Sequence, residues 1–536
     1  MNKFWITLGL AFTLSTAVFA QDSILLRTEK VWYNDSKEDT GIFGVNTEKA
    51  YQFLKEHNRK PTELVVAVID GGVQADHIDL KDNMWVNQKE IAGNGKDDDK
   101  NGYVDDINGW NFIGGANGEN VNGDTLEKVR VYKYSYLPLF ESEDSAKNEE
   151  NKKKYPTEFA DYEKVKKEIT DEINKAKSGF AQYTQLKKMA DTSFPALVKD
   201  FGSALLSEES LGKYTPTDET MPAMQMFAFL PKELWEGKSM QEFYDFIGEQ
   251  FSEGIYYFDK QVKYNYNLDF EPRNIVGDDY NNKKENKYGN NNVEGPDASH
   301  GTHVAGLISA VRDNNKGIDG IAGNNVKIMG VRTVPNGDER DKDVANAIRY
   351  AADNGAKIFN MSFGKDHSTD KELVWDAMKY AEKKGVLMVK AAGNDGVNID
   401  TDIHYPTNFD EKGNKVVESI ITVGASTPDS KSLVASFSNF GKKSVDVFAP
   451  GTEILSTVPH NEFKEEQGTS MASPITAGVA ALVWSHYPKL TALEVKDIIM
   501  KSVNTDPQLT DISVSGGVID AYKAVQLAEE MYKGKK

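Results

Sequence analysis

The segment Gly468-Thr469-Ser470-Met471-Ala472-Ser473-Pro474 and the small, apolar run ITAGVAALVW that follows it place a hydroxyl at the start of a closely packing helix. Gly468 permits a tight turn, and Ala472, Ala477, Gly478, Ala480 and Ala481 let a neighbouring backbone approach. Unpaired N–H groups and the positive end of the helix dipole would stabilise an oxyanion forming beside Ser470. The same residues also describe a buried helix with a serine cap. Nucleophilic chemistry needs a base, which the rest of the chain must supply.

Three further clusters have the residue types for such chemistry. SHGTHVAG at 299–306 offers His300 and His303 at a helix start, with Gly301 and Gly306 permitting close approach to a strand and a nucleophile. As a metal pair they lack a third ligand at helical spacing. Asp70 ends the apolar, β-branched run Leu64-Val65-Val66-Ala67-Val68-Ile69 and precedes two glycines. Open α/β sheets place their sites there, although Asp-Gly is also an ordinary turn pair. Ala391-Ala392-Gly393-Asn394-Asp395-Gly396 reads, by itself, as a turn. In the run 94–112, Asp97, Asp99 and Asn101 alternate, Gly102 follows and Asp105 comes later, the first part of a calcium-loop spacing. Asn108 stands where a full loop carries glutamate, so the expectation is a structural calcium on Asp97, Asp99, Asn101 and Asp105, with a solvated turn as the alternative.

The elements that must hold these residues follow from periodicity. The run 64–69 reads as a strand buried on both faces. From 326 onward strands and helices alternate: strands over 326–331, 358–362 and 386–391, helices over 343–354 and 370–384 stopped by Gly355 and Gly385. Thr491 and Glu494 form a capping box for a helix over 491–503. Between 114 and 271 the texture becomes Lys/Glu-rich and aromatic. Phe159, Tyr162, Val165, Ile169, Ile173 and Ala176 form one helical stripe, and Phe243, Phe246, Ile247 and Phe251 another, both read as packing faces.

The 536 residues carry 63 basic and 83 acidic side chains, a net charge of -20, which argues against nucleic acid or an anionic membrane as partner. Lys3, the apolar run 4–14 and Val18-Phe19-Ala20 read as a cleaved secretion signal over 1–20. Thr7, Thr13, Ser15 and Thr16 interrupt a run already short of a span, so no membrane segment is expected in the mature chain. There is no cysteine, which excludes disulfides and thiolate metal sites and leaves packing, with calcium, to hold an exported fold.

Taken together, GTSMASP resembles the nucleophile segment of the subtilases, the subtilisin-like serine proteases. SHGTHVAG resembles their histidine segment and Asp70-Gly71-Gly72-Val73 their aspartate segment, in the subtilisin order. The resemblance covers about residues 62–112 and 272–525. It implies a three-layer α/β fold with a mostly parallel central sheet, in two parts (61–113 and 272–536) around a largely helical insertion (114–271), after an N-terminal extension (21–60). It implies a secreted endopeptidase acting on polypeptides through an acyl-enzyme, without an organic cofactor. In that reading Ser470 is nucleophile, His300 base, Asp70 its orienting acid, His303 structural, and Asn394 donates its amide to the oxyanion. The match at Asn360-Met361-Ser362-Phe363-Gly364 makes Ser362, Phe363 and Gly364 substrate-binding, with Phe363 in place of the family's usual leucine and Lys365 in place of its second glycine. Gly71 stands where the family usually has a hydroxyl residue, so Asp70 must draw its other partners from backbone N–H groups. An acidic, glycine-bearing loop recurs in bacterial subtilases after the aspartate segment, which supports calcium. Two other readings remain at this stage. One is a tripeptidyl-peptidase-like exopeptidase, a type that also carries a large insertion between Asp and His; the other is an inactive subtilase fold that binds peptides.

Overall fold

A computed structural model describes residues 31–533. The expected secretion signal lies outside the described residues. Two compact units are present: one comprises the chain up to Asn122 and from Pro272 on, the other Gly123–Glu271.

The first unit is built on β1 (Leu64–Asp70), β2 (Gly109–Asn111), β3 (Val326–Arg332), β4 (Ile358–Met361), β5 (Leu387–Ala391), β6 (Ile420–Ser426) and β7 (Val447–Pro450), with β8 (Ile454–Val458) and β9 (Glu462–Glu466) as a separate hairpin and β10 (Asn504–Thr505) and β11 (Gly517–Val518) at the edge. The main sheet runs β10-β11-β7-β6-β5-β4-β1-β3-β2, parallel except for the β10–β11 pair. The continuous apolar run of β1 follows from this position. Val66 and Val68 enter the core that holds the helices Ser299–Ser309 and Thr469–His486, while Ala67 and Ile69 enter the one that holds Asp341–Asp353 and Lys371–Lys383. Helices thus cover both faces, giving three layers. From β1 the chain crosses to β2 at the edge, comes back to β3 on one side of β1 and then passes to β4 on the other. Asp70 therefore ends its strand where the connections diverge, the crevice in which open α/β sheets bind ligands.

The second unit is helical. The Pro156–Phe201 helix runs 46 residues and packs along Met240–Lys260, which starts at a Ser239/Glu242 capping box. The predicted stripes face its two cores. Tyr162, Val165 and Ile169 meet Val129, Tyr132 and Phe140, and Phe194 and Leu197 meet Phe227, Trp235, Phe243 and Ile247. Gly179 lies against Phe258 and Gly254 against Tyr183, so each long helix makes room for an aromatic ring of the other. No helix among the described residues is long and apolar enough to cross a membrane.

Candidate active site

Asp70 is buried, and its Oδ1 accepts two hydrogen bonds, from the Gly71 N–H (2.7 Å) and from His300 Nδ1 (2.8 Å). The backbone partner expected in place of a hydroxyl is thus the next residue in the chain. Close packing makes the His300 bond possible. A Cβ on Gly301 would lie 2.1 Å from the Gly72 carbonyl oxygen and 3.1 Å from the Asp70 Cβ, so only glycine lets the Ser299–Ser309 helix start against the end of β1. Arg332, opposite Asp70 in the β1–β3 register, donates through Nε to the Gly71 carbonyl (2.6 Å) and steadies the turn.

The His300 side chain is 41% exposed on its other edge. Burial of the ring lowers its pKa, but the Asp70 carboxylate, joined by Glu466 and Asp297, outweighs this and pushes it from 6.5 up to about 9. His303 behaves differently. It is fully buried, its Nε2 lies 2.9 Å from the Ile454 carbonyl and 3.0 Å from that of Lys464, and burial holds its pKa down. It ties the helix to the β8–β9 hairpin.

Ser470 sits in the first turn of the Thr469–His486 helix, whose cap Gly468 has φ +149°, a conformation that favours glycine. Pro474 lacks the N–H that would bond the Ser470 carbonyl one turn back. Ser362 Oγ fills that vacancy at 2.9 Å, and the Ser470 hydroxyl in turn donates to the Ser362 carbonyl (3.2 Å). Ser362 directly follows Met361, the β4 residue paired with Ile69, so this exchange brings the serine beside the Asp70 strand end. His300 and Ser470 are not hydrogen-bonded to each other.

Asn394 follows β5. Its Oδ1 accepts from the Thr469 N–H and Thr469 Oγ1, both at 2.9 Å. Because a backbone N–H can only donate, this fixes which amide atom is oxygen and leaves Nδ2 facing away. A carbon placed as Cβ on Gly468 would lie 3.5 Å from that Nδ2 and 3.6 Å from the Ser470 nitrogen. Two donors therefore converge beside the serine with no side chain between them.

The acidic loop is less tidy. Asp97 spends its oxygens on the N–H groups of Asn101 (3.0 Å) and Gly102 (2.8 Å), and Asp105 spends its own on Asn94 (3.2 Å) and Gly95 (2.8 Å). The carboxylates that converge are Asp99, Glu90 and Asp106, with ligand atoms within 4.8 Å of one another. The Asn87 and Asn101 amides bridge Asp99 and Asp106. An oxygen-only set of this kind suits a hard cation. Glu90 and Asp106 lie outside the alternating run, and no local spacing pointed to them. Nor did any spacing point to Thr469 as the anchor of Asn394 or to Glu466 as a charge near His300.

The sequence profile of the Subtilase family matches residues 62–517. The chain belongs to this family. Among relatives of this subtilase, Thermophilic serine proteinase of Bacillus sp. (strain AK1) is 44% identical over 189 residues, 35% of this chain and 43% of the relative. Subtilisin DY of Bacillus licheniformis is 38% identical over 200 residues, 37% of this chain and 68% of the relative. Thermitase of Thermoactinomyces vulgaris is 37% identical over 230 residues, 42% of this chain and 75% of the relative. The chain thus spans less than half the length of the first of these and about two thirds to three quarters of the other two.

Proposed function

We propose that this subtilase is a serine endopeptidase that hydrolyses peptide bonds in polypeptides through an acyl-enzyme. Ser470 Oγ attacks the scissile carbonyl carbon. His300 Nε2 takes its proton and returns it to the leaving amine, while Asp70 orients the ring through Nδ1 and stabilises its charged form. Asn394 Nδ2 and the Ser470 N–H receive the oxyanion. The observation that carries this reading is the 2.8 Å Asp70–His300 bond. It commits Nδ1 to the acid and leaves Nε2 as the acceptor. Support also comes from the two donors converging at Gly468, and from relatives whose names are those of proteinases. Ser362, Phe363 and Gly364 provide the strand along which the substrate lies. Ser470→Ala should abolish both peptide hydrolysis and labelling by a fluorophosphonate, and labelling that persists refutes the assignment.

The same reading includes a structural calcium. Asp99 keeps its expected place as a ligand, with Glu90 and Asp106 in place of Asp97 and Asp105, because Asp99, Glu90 and Asp106 are the carboxylates whose ligand atoms converge within 4.8 Å of one another. Such an ion would cross-link the loop before β2 and offset two of the three carboxylate charges. Export is supported by the charged, apolar and small-residue order of positions 1–20.

A further inference from the structure

Two loops beside Ser470 border a common space. One follows β4 and carries Ser362, Phe363 and Gly364; the other follows β5 and carries Gly393 and Asn394. Met361 and Lys390 are register partners, so the loops leave the sheet side by side. Both are tied to the serine helix, the first by Ser362 Oγ on the Ser470 carbonyl (2.9 Å) and the second by the Gly393 N–H on Thr469 Oγ1 (3.1 Å). A peptide lying along 362–364, with its carbonyl carbon at Ser470 and its oxygen at Asn394, directs the side chain on the acyl side into this space. The two facing glycines are what would make room for it.

That room is already taken. A Cβ on Gly364 would lie 2.2 Å from Nε2 of His404; one on Gly393 would meet Asn439 Nδ2 first, at 2.3 Å, and then the same His404 atom at 3.0 Å and its Cε1 at 3.2 Å. The leading edge of the imidazole therefore stands between the two glycines. The side chain is only 11% exposed. The chain next to it is pinned to the β4 loop by a reciprocal backbone pair, Lys365 N–H to the Tyr405 carbonyl (3.0 Å) and Tyr405 N–H to the Lys365 carbonyl (2.8 Å). Phe363 and Lys365, the departures from the family pattern, point elsewhere. Phe363 is part of the core beneath the Asp341–Asp353 helix, and Lys365 Nζ is buried against Asp341 Oδ1 (2.9 Å) and the Glu339 carbonyl (2.9 Å).

We propose that His404 is a specificity-determining residue that fills the pocket for the side chain preceding the scissile bond, so that the enzyme cleaves after glycine, alanine or serine and discriminates against leucine, phenylalanine and other bulky residues. This rests on the peptidase reading above. Asp366 and Asp395 flank the ring, with ligand atoms within 4.8 Å of it, which raises the rival possibility of a basic side chain. Both are exposed, and water screening leaves their attraction for lysine or arginine weak beside the steric cost of displacing the ring.

The test uses the full chain, His404→Gly and His404→Ala, and N-blocked peptides that differ only in the residue before the scissile bond: alanine, serine, leucine, phenylalanine or lysine. Active enzyme is counted by fluorophosphonate titration, which reads Ser470 without using this pocket. Wild type should favour alanine over phenylalanine in kcat/KM by at least about tenfold, and each variant should raise the phenylalanine-to-alanine ratio by at least about tenfold. Wild type that cleaves after phenylalanine, leucine or lysine as readily as after alanine, or titratable variants with an unchanged ratio, would overturn the role of His404 and leave the nucleophile standing. Wild type that neither titrates nor cleaves would overturn both. If neither variant titrates, the wild-type profile alone decides.

Discussion

Asp70 and His300 form a pair whose charge state, in the proposed mechanism, sets when the site works. A base must be neutral to accept the serine proton, and the carboxylate beside His300 favours the charged ring up to about pH 9. The acid limb of kcat/KM should therefore lie above 6.5, towards 9, with activity rising as pH increases. In Asp70→Asn the largest raising charge is gone and only Glu466 and Asp297 are left to oppose burial, so the limb should move down while kcat falls by about 10⁴-fold. A pH-rate profile of both proteins checks this, and an unmoved limb would assign the ionisation to another group. The stability linkage has the opposite sense. Because the folded-state pKa is raised, protonated His300 stabilises the fold below pH 6.5, and that contribution fades as pH rises through about 9.

The histidine helix and the turn after β1 meet through a backbone contact that leaves no space for a methyl group. Gly301 makes this contact, and the atom its Cβ would strike, the carbonyl oxygen of Gly72, cannot swing aside as a flexible side chain would. Gly301→Ala should push the helix off the strand end, at a cost of about 1–3 kcal/mol, and part His300 from Asp70. Thermal melting should fall and kcat/KM should fall with it. A variant that melts lower but keeps full kcat/KM would mean that helix placement does not set the His300–Asp70 distance. The serine helix shows the same logic from the other side. Pro474, which would weaken a helix interior, here frees the Ser470 carbonyl for Ser362 and so locks nucleophile and substrate strand together.

In the whole molecule, a net charge of -20 and the lack of disulfides leave the catalytic unit dependent on packing and on neutralisation of local carboxylate clusters. Calcium at about 100 times its dissociation constant should stabilise the protein by about 2.7 kcal/mol over the chelated form. Melting curves with calcium and with a chelator check it, and Asp99→Asn should remove most of the difference. A wild-type melting temperature indifferent to the chelator would dismiss the ion. Much of this architecture was legible in the chain alone. The run 64–69, the alternation after 326 and the two aromatic stripes each carry a period, and period is a local property that a buried strand or an amphipathic helix imposes on its own residues. Asp70, His300, Ser470 and Asn394 were likewise readable, because each stands in a motif whose neighbours, mostly glycines and small residues, record how close another backbone must come. Other features had no such record. Glu90 and Asp106 join Asp99 only because the loop folds back, Thr469 orients Asn394 across 75 residues, and His404 reaches Gly364 and Gly393 because Tyr405 pairs with Lys365. The sequence by itself determined the sheet and the order of the residues that meet at the proposed site. Only the tertiary structure decided what fills the space around them, since the fit of one loop into another depends on contacts between distant segments that no local pattern encodes.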